Sequence, residues 1–289
     1  MISEELQKKI DSSIKLLQVI AKGYNGEIEV AYSGGKDSDV ILQLAKEAGI
    51  KYRAIYKNTT IDPPGTIAHA IEMGAEILRP AKSFFQLVSE HGFPNRHYRF
   101  CCNILKEYKV LDKVIIGVRK AESRKRKENY QEPTECRYYG SKKDPENHVE
   151  AIYPLLEWTD QDVLDFILDR GIKCAPIYYN RGGGQFQIKR RLGCQGCPLV
   201  SFAKRKKWFL QNPRYVKAYI RAGKKFYDTH PDTEVGKRYS NVYEWFTRDV
   251  LFVNEKKWEE HKMSFLLFPE EYDYKSFLEK KYGIDLTID

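Results

Sequence analysis

Residues 33–38 read Ser-Gly-Gly-Lys-Asp-Ser, a polar loop between two segments of regular hydrophobic pattern. Residues 27–32 before it read as a β-strand, and the apolar residues after it recur as in an amphipathic helix over 38–48. Two glycines let a backbone approach a ligand closely, and a helix start presents free N–H groups at the positive end of its dipole. Lys36 and the serine hydroxyls add charge and donors. The spacing therefore predicts an anion site.

Asp37 has the wrong charge for direct contact with an anion, and we interpret it as a ligand of the Mg²⁺ that accompanies a triphosphate. The loop lacks the Gly-x4-Gly-Lys-Ser/Thr pattern of the P-loop proteins. A plain glycine turn before a capped helix is the structural alternative.

The elements around the loop alternate between strand and helix patterns. Strands are predicted at 27–32, 51–57, near 75–80 and at 113–118, and helices at 3–22, 38–48, 64–73, 83–91, 101–111 and 160–170. Thr159 is suited to cap the last of these helices. The alternation predicts an α/β fold with a doubly wound, mostly parallel, Rossmann-like sheet covered on both faces.

We predict two domains. Residues 1–200 form a nucleotide-binding α/β domain in which the polar, turn-rich segment of about 121–148 is a lid, and residues 201–289 form a basic, aromatic helical region. The stretch 201–230 holds nine Lys or Arg and one Asp, in a chain of 289 residues with a net charge of +9. Its interleaved aromatic residues suit a nucleic acid, although a solvated basic helix pair with aromatic residues in the core gives the same pattern.

No apolar run reaches the length of a membrane span, and the N-terminal residues are charged rather than signal-like. The sequence therefore predicts a cytoplasmic protein without a membrane partner. In that compartment the six cysteines are expected to be thiols or metal ligands rather than disulfides.

Five segments occur in the order, and at about the spacing, of the phosphoadenosine phosphosulfate (PAPS) reductase-like family. They are SGGKDS (33–38), FCCNILK (100–106), GVRKAESRKR (117–126), YPLLEWTDQDVLDFI (153–167) and RLGCQGCP (191–198). Through them, residues 25–200 resemble this branch of the adenine nucleotide alpha hydrolase (PP-loop ATP pyrophosphatase) superfamily. The resemblance implies the fold of that superfamily and an adenine nucleotide ligand, either ATP or PAPS/APS, with Mg²⁺.

The resemblance also implies roles for single residues. The nucleotide phosphates would be bound by Ser33, Gly34, Gly35, Lys36, Asp37 and Ser38. Asn58, after the second strand, would lie beside the adenine or ribose. Arg119 would contact phosphate or sulfate across the cleft, and Arg124, in a charged stretch with Glu122 and Ser123, would close over the anion. Lys36, Asp37, Arg119 and Arg124 are the predicted catalytic residues.

Cys101, Cys102, Cys194 and Cys197 match the four thiolates that hold a [4Fe-4S] cluster in APS-type members of the family. A Cys-x2-Cys turn, made possible here by Gly193 and Gly196, lets two thiolates bind one metal centre. Four thiolates also suit tetrahedral Zn²⁺, which is the rival assignment. The alternative to both is that the cysteines are buried or free thiols with neither a metal nor a redox role.

Sulfonucleotide reductases resemble one another in a further cysteine within a C-terminal Cys-Gly-x-His tail, and no cysteine follows Cys197 here. We therefore expect ATP-dependent adenylation of an acceptor with release of pyrophosphate, followed by displacement of AMP by a thiol or cluster-bound sulfide. The acceptor would be a nucleic acid bound at 201–230 or another molecule, and a thiol or sulfur-donor protein would be a partner. The alternatives are a PAPS/APS reductase that uses Cys136 or a partner's thiol to release sulfite, and a non-catalytic nucleotide-binding module.

Overall fold

A computed structural model of the protein describes residues 2–140, 145–180, 184–252, 260 and 272–287. The chain divides into two compact units whose segments alternate along the sequence. The first unit comprises Met1–Asn58, Asp62–Pro80 and Asn103–Gly193, and the second comprises Thr59–Ile61, Ala81–Cys102 and Cys194–Asp289. The functional division near residue 200 stays a proposal.

The first unit contains a six-stranded sheet with the order β3-β2-β1-β4-β6-β5. Its strands are β1 (Ile28–Ala31), β2 (Tyr52–Lys57), β3 (Glu76–Leu78), β4 (Lys113–Ile115), β5 (Thr134–Tyr138) and β6 (His148–Ile152). Neighbouring strands run parallel except for β5, which pairs antiparallel with β6. This arrangement confirms the predicted mostly parallel α/β fold.

The point where the strand order reverses lies between β1 and β4. The chain passes from β1 outward through β2 to β3, and then crosses to β4 on the other side of β1. Val30 of β1 is in register with Ile115 of β4, so the residues after both strands start from the same edge of the sheet. In doubly wound folds this switch point is where ligands bind.

Both faces of the sheet are buried. Ile115 and Ile152 face one apolar cluster, which includes helix residues such as Leu17 and Leu44, whereas Val114 and Ala151 face a second cluster. Adjacent strand residues point to opposite faces, so both sides of β4 and β6 are covered.

The described helices are α1 (Glu4–Ala21), α2 (Lys36–Glu47), α3 (Thr66–Glu72), α4 (Phe84–His91), α5 (Phe100–Leu105), α6 (Arg124–Asn129), α7 (Asp160–Asp169), α8 (Phe202–Gln211), α9 (Pro213–Thr229), α10 (Glu234–Arg238), α11 (Val242–Trp245) and α12 (Tyr274–Tyr282). A π-helical turn spans Phe246–Phe252, and 3₁₀ turns span Lys120–Glu122, Pro145–Asn147 and Pro176–Tyr178. Thr159 caps α7 as predicted, in a capping box with Asp162. None of the described helices is long and apolar enough to cross a bilayer.

Two local expectations differ from the structure. The helix predicted over 101–111 ends at Leu105, and the carbonyl of Tyr108 accepts a hydrogen bond from Lys57 Nζ instead (2.7 Å). Segment 121–148, predicted as an irregular lid, contains α6 and β5 among its described residues. Its strand was missed because β5 is an edge strand with a largely exposed, polar sequence. Movement of this segment stays a prediction.

The second unit is helical around α8 and α9, which confirms the predicted helical C-terminal region. Phe209 of α8 and Tyr219 of α9 are buried against each other, with ring centroids 5.4 Å apart. These two aromatic residues of the basic stretch therefore belong to the core and are not available to stack on bases. Most of the basic side chains of α8 and α9 face solvent or are half-buried.

Candidate functional site

The loop after β1 turns sharply into α2. Gly34 has a φ of +73°, in the region that favours glycine, and a Cβ atom there would lie 2.7 Å from the Thr66 methyl carbon. Gly35 is the N-cap of α2 and has no side chain to cap the helix. The Ser38 hydroxyl donates to the Gly35 carbonyl at 2.7 Å, which fixes the loop on the first turn of α2. The N-cap residue of α2 therefore supplies no side-chain cap of its own, as at many anion-binding helix starts.

Lys36 and Asp37 form a charged group with Arg119, which follows β4. Lys36 Nζ donates to Asp37 Oδ2 at 3.1 Å, and Arg119 Nε donates to Asp37 Oδ1 at 2.7 Å. Arg119 Nη2 also donates to Asp160 Oδ1 at 2.7 Å, and Arg119 is only 1% exposed. Burial lowers the pKa of Arg119, but the negative charges of Asp37 and Asp160 outweigh it and raise that pKa. Both oxygens of Asp37 are therefore held by cations.

A cavity of about 370 Å³ lies beside the loop, a size suited to a small ligand. Ser33, Lys36, Asp37 and Ser38 line one side of it, and Arg126 and Arg191 line another. Gly117 brings the chain after β4 close to the loop, since a Cβ atom there would lie 3.1 Å from the Asp37 carbonyl oxygen. The cavity therefore opens at the switch point of the sheet.

Glu122 lies between the two arginines of the cavity. Its carboxylate accepts a hydrogen bond from Arg126, and Arg191 Nη2 lies 3.5 Å from Glu122 Oε2. Both guanidinium groups thus pair with a carboxylate that also lines the cavity. An anionic ligand could compete with Glu122 for them, because guanidinium binds phosphate as readily as carboxylate.

Tyr178 supports the loop from the 3₁₀ turn at Pro176–Tyr178. Its hydroxyl accepts a hydrogen bond from the Lys36 N–H at 3.2 Å, and the residue is 2% exposed. Burial raises the pKa of Tyr178. The phenol therefore stays neutral and acts as a fixed hydrogen-bonding group beneath the start of α2.

All four predicted metal ligands belong to the second unit. The pKa of Cys101 is raised, first by its hydrogen bond with the Cys102 thiol, then by burial and by the charges that Cys102, Cys194 and Cys197 carry as thiolates. Arg96 Nε donates to the carbonyl of Pro198 at 3.2 Å, which ties the segment before the first cysteine pair to the residue after the second. The two pairs are thereby brought into electrostatic range of each other.

The four thiols do not stand in a ligating arrangement. Among the residues that the structure describes, no group of three Cys, His, Asp or Glu side chains could hold a metal ion as it stands. The donor set itself fits a metal centre by its chemistry, because two thiols from α5 and two from a Cys-x2-Cys turn belong to one unit. Their assignment as ligands stays a prediction.

Residues 27–200 match the family model of the phosphoadenosine phosphosulfate reductase domain. The chain belongs to this family. The match includes the loop, both cysteine pairs and α7. It confirms the resemblance seen over residues 25–200.

Two relatives of this family member come from Methanocaldococcus jannaschii. Uncharacterized protein MJ0973 is 30% identical over 211 residues, which are 68% of this chain and 47% of the relative. Uncharacterized protein MJ0066 is 25% identical over 219 residues, 70% of this chain and 42% of the relative. The chain thus spans about half the length of the curated relatives it matches.

A solved structure with a more distant likeness is the U34-tRNA thiolase NcsA from Methanococcus maripaludis with its [4Fe-4S] cluster. It shares 16% identity, covers 82% of this chain and 85% of its own, and has a TM-score of 0.41. A likeness at this level is too distant to support an inference about activity.

Several predicted residues lie apart from the cavity lining. The Arg124 side chain is 92% exposed and pairs with Glu128. Arg119 contacts Asp37 but does not itself line the cavity. The Asn58 N–H, after β2, donates to the Leu78 carbonyl at 3.0 Å. The roles of these three residues toward a nucleotide stay predictions.

The structure adds residues that sequence reasoning did not select. Arg126 and Arg191 line the cavity, and both stand inside the segments that carry the family resemblance. Position within those segments was the available signal. For Tyr178 no local sequence signal exists, because it reaches the loop across 142 positions of the chain.

Proposed function

We propose that this chain is an adenine-nucleotide-dependent sulfur-transfer enzyme. In this reaction an acceptor oxygen attacks the α-phosphorus of ATP, the bond from that phosphorus to the β-phosphate bridge breaks, and pyrophosphate leaves. A sulfur nucleophile at the oxidation level of hydrosulfide, delivered by a thiol or sulfur-donor protein, then displaces AMP from the acceptor. The observation that carries the proposal is the loop at the switch point, with its left-handed Gly34 and a helix start whose N-cap is glycine.

The charged group at the loop supports a role for Lys36 and Asp37 in holding a triphosphate. Lys36 pairs with Asp37 in the structure, and a phosphate oxygen is a stronger competitor for the ammonium group. When Lys36 turns to phosphate, Asp37 Oδ2 becomes available to Mg²⁺, while Arg119 keeps hold of Oδ1. Lys36 would then bind the departing pyrophosphate, and Arg119 would orient Asp37.

The thiol centre is proposed to hold a [4Fe-4S] cluster through Cys101, Cys102, Cys194 and Cys197, with zinc as the rival metal. When bound, the cluster would supply an iron site able to bind sulfur. The chain's own contribution is to tie together the segments that carry the two cysteine pairs and to leave Cys101 half-buried.

The acceptor is proposed to be a nucleic acid bound along α9. Arg214, Arg221 and Lys225 are exposed and spaced at i, i+7 and i+11, so they lie on one face of the helix. Replacing all three with alanine should weaken RNA binding and reduce the salt slope of binding by about three. The matched control replaces Lys8, Lys15 and Lys22, in and after α1, with alanine. These three residues are exposed, and the variant makes the same charge change.

A second candidate is a sulfonucleotide reductase, favoured by the description of the matched family. In that reaction a thiolate attacks the sulfate sulfur of PAPS or APS, the nucleotide phosphate leaves, and a second thiol releases sulfite as the disulfide forms. Cys136 on β5 is exposed and could supply the first thiol. The pyrophosphate and sulfite products distinguish the two reactions.

The deciding experiment supplies ATP, PAPS or APS to the anaerobically purified full chain, with Mg²⁺, a thiol donor and bulk tRNA or DNA. The proposal predicts pyrophosphate and AMP from ATP in the presence of acceptor, and loss of both products in Lys36→Met but not in Lys46→Met. Sulfite from PAPS or APS without ATP turnover would establish the second candidate. Binding without turnover of any of the three would indicate a nucleotide-binding module.

The cytoplasmic location expected from the sequence stays a prediction.

A further inference from the structure

Arg205 of α8 is a buried cation in the same unit as the four cysteines. It is 5% exposed, and its Nε atom has no hydrogen-bond partner. Within the part of the chain that the structure describes, no carboxylate forms an ion pair with it. Burying a guanidinium whose Nε lacks a partner is costly, so the position of Arg205 calls for an anion.

The packing of the Cys194–Cys197 turn points to the thiols as that anion. Burial lowers the pKa of Arg205; Tyr219 and Cys197 oppose this, and Arg96 adds to it. The Cys194–Cys197 turn packs directly on the helices that carry Arg205 and Tyr219. A Cβ atom on Gly196 would lie 2.9 Å from the Tyr219 hydroxyl and 3.3 Å from the Phe209 ring.

Tyr219 makes the surroundings of this turn apolar. Its ring packs 5.5 Å from Phe84, 5.4 Å from Phe85 and 5.4 Å from Phe209, and it is 2% exposed. A charge interaction is strong in such an environment because little water screens it. Four thiolates around a divalent metal or a [4Fe-4S]²⁺ core leave two excess negative charges, which a single nearby cation would partly balance.

We propose that Arg205 is the counter-charge of an anionic, thiolate-bound metal centre formed by Cys101, Cys102, Cys194 and Cys197, and that it stabilises the bound metal without being a ligand. The inference rests on the proposed thiolate centre and adds a residue outside the segments that carry the family resemblance. It applies equally to an iron–sulfur cluster and to zinc, since both centres carry excess negative charge. Arg205 acts through the thiolates and is therefore a positioning residue.

The test uses the full chain, purified anaerobically, with Arg205→Met, Arg205→Lys and the control Lys207→Met. Lys207 lies on the same helix, is exposed, and its substitution makes the same charge change. The readouts are metal per chain, retention of metal against a chelator and, where iron is present, the midpoint potential.

Arg205→Met should retain metal about tenfold less well, as expected for a partner beyond the ligands themselves. Loss of a positive charge disfavours the more negative, reduced cluster, so the potential should fall by about 59 mV, a tenfold change for a one-electron couple. Arg205→Lys should recover most of both properties, and Lys207→Met should match the wild type. In metal-free protein Arg205→Met should unfold at an equal or higher denaturant midpoint, because it removes a buried unpaired charge.

Equal retention and potential in Arg205→Met and Lys207→Met would overturn the inference while leaving the thiolate centre intact. A lower denaturant midpoint of metal-free Arg205→Met would also overturn it, since that result assigns Arg205 to packing alone. A wild type that binds neither iron nor zinc would remove the thiolate centre from the proposed function and this inference with it. Nucleotide binding at the loop is measured separately and is expected to be unchanged by Arg205→Met.

Discussion

Arg119 in the first unit and Arg205 in the second are both buried, at 1% and 5% exposure, yet their partners differ. Arg119 donates to the carboxylates of Asp37 and Asp160, so its charge is balanced within the chain. Arg205 has an unpartnered Nε, and the Cys194–Cys197 turn packs on the helix that carries it. The charge of Arg119 at the loop after β1 is thus balanced without a ligand, whereas Arg205 has no carboxylate partner among the described residues.

The largest expected effect concerns the thiol region. Cys194→Ser should abolish metal binding, and with it any absorbance near 400 nm, because a tetrahedral centre loses one of its four thiolates. Cys136→Ser is the matched control, since Cys136 is exposed on β5. Metal analysis and absorbance of both variants check this. Full metal content in Cys194→Ser would remove that residue from the centre.

Gly34→Ala should damage the nucleotide loop next most severely. It places a Cβ atom 2.7 Å from the Thr66 methyl carbon at a φ of +73°, so the loop must shift, and we expect nucleotide affinity to fall about a hundredfold. Gly49→Ala is the control, because Gly49 has a φ of +65° at the other end of α2 with nothing near its Cβ position. Both variants should lose about 1 kcal/mol of stability from the positive φ, and Gly34→Ala should lose more because of the contact with Thr66. Equal nucleotide affinity in the two variants would contradict the assigned loop geometry.

Arg119→Met tests directly whether the ion pairs of Arg119 with Asp37 and Asp160 stabilise the fold. Removing the cation leaves the Asp37 carboxylate with Lys36 alone, so the free energy of unfolding should fall by about 2 kcal/mol. Arg124→Met, at a side chain that is 92% exposed, should change it by less than about 0.5 kcal/mol. Urea unfolding of the two variants provides the measurement. An Arg119→Met variant as stable as the wild type would show that this pair is not structural.

The smallest effect is expected at Asp162. This residue belongs neither to the loop after β1 nor to the thiol region, so it tests whether a charge that is paired within the chain affects stability alone. Its carboxylate accepts hydrogen bonds from Lys9 and from the Thr159 N–H at 2.8 and 2.7 Å. Burial raises the pKa of Asp162, but the hydrogen bonds with Lys9 and Thr159 outweigh it and lower that pKa below 3.8.

Asp162→Asn should therefore cost about 1 kcal/mol at pH 7, with unchanged nucleotide affinity. Because the pKa of Asp162 is lower in the folded state, its carboxylate stabilises the fold above pH 3.8. This stabilisation is lost as the pH falls through the folded-state pKa. The difference between variant and wild type should shrink accordingly in urea unfolding at pH 7 and pH 3.5. Asp11→Asn, at an exposed position of α1, makes the same charge change and is the control.

The sequence predicted what depends on local pattern. The strand, glycine loop and helix at 27–48 and the Thr159 cap follow from short-range rules, and the structure contains them. The edge strand β5 was missed, because its exposed, polar sequence lacks apolar alternation and its position is set by pairing with β6. Tyr178 reaches the loop through the tertiary fold. Arg205 looks in sequence like its basic neighbours, and only burial distinguishes it.

The most direct test of the central claim is a calorimetric titration of the anaerobic full chain with ATP and Mg²⁺. The account predicts saturable binding of one nucleotide per chain, weakened at least about tenfold in Lys36→Met through loss of a charge-assisted bond to phosphate, and unchanged in Lys46→Met. If ATP, PAPS and APS all fail to bind, or if Lys36→Met binds ATP as tightly as the wild type, the loop after β1 is not the nucleotide site.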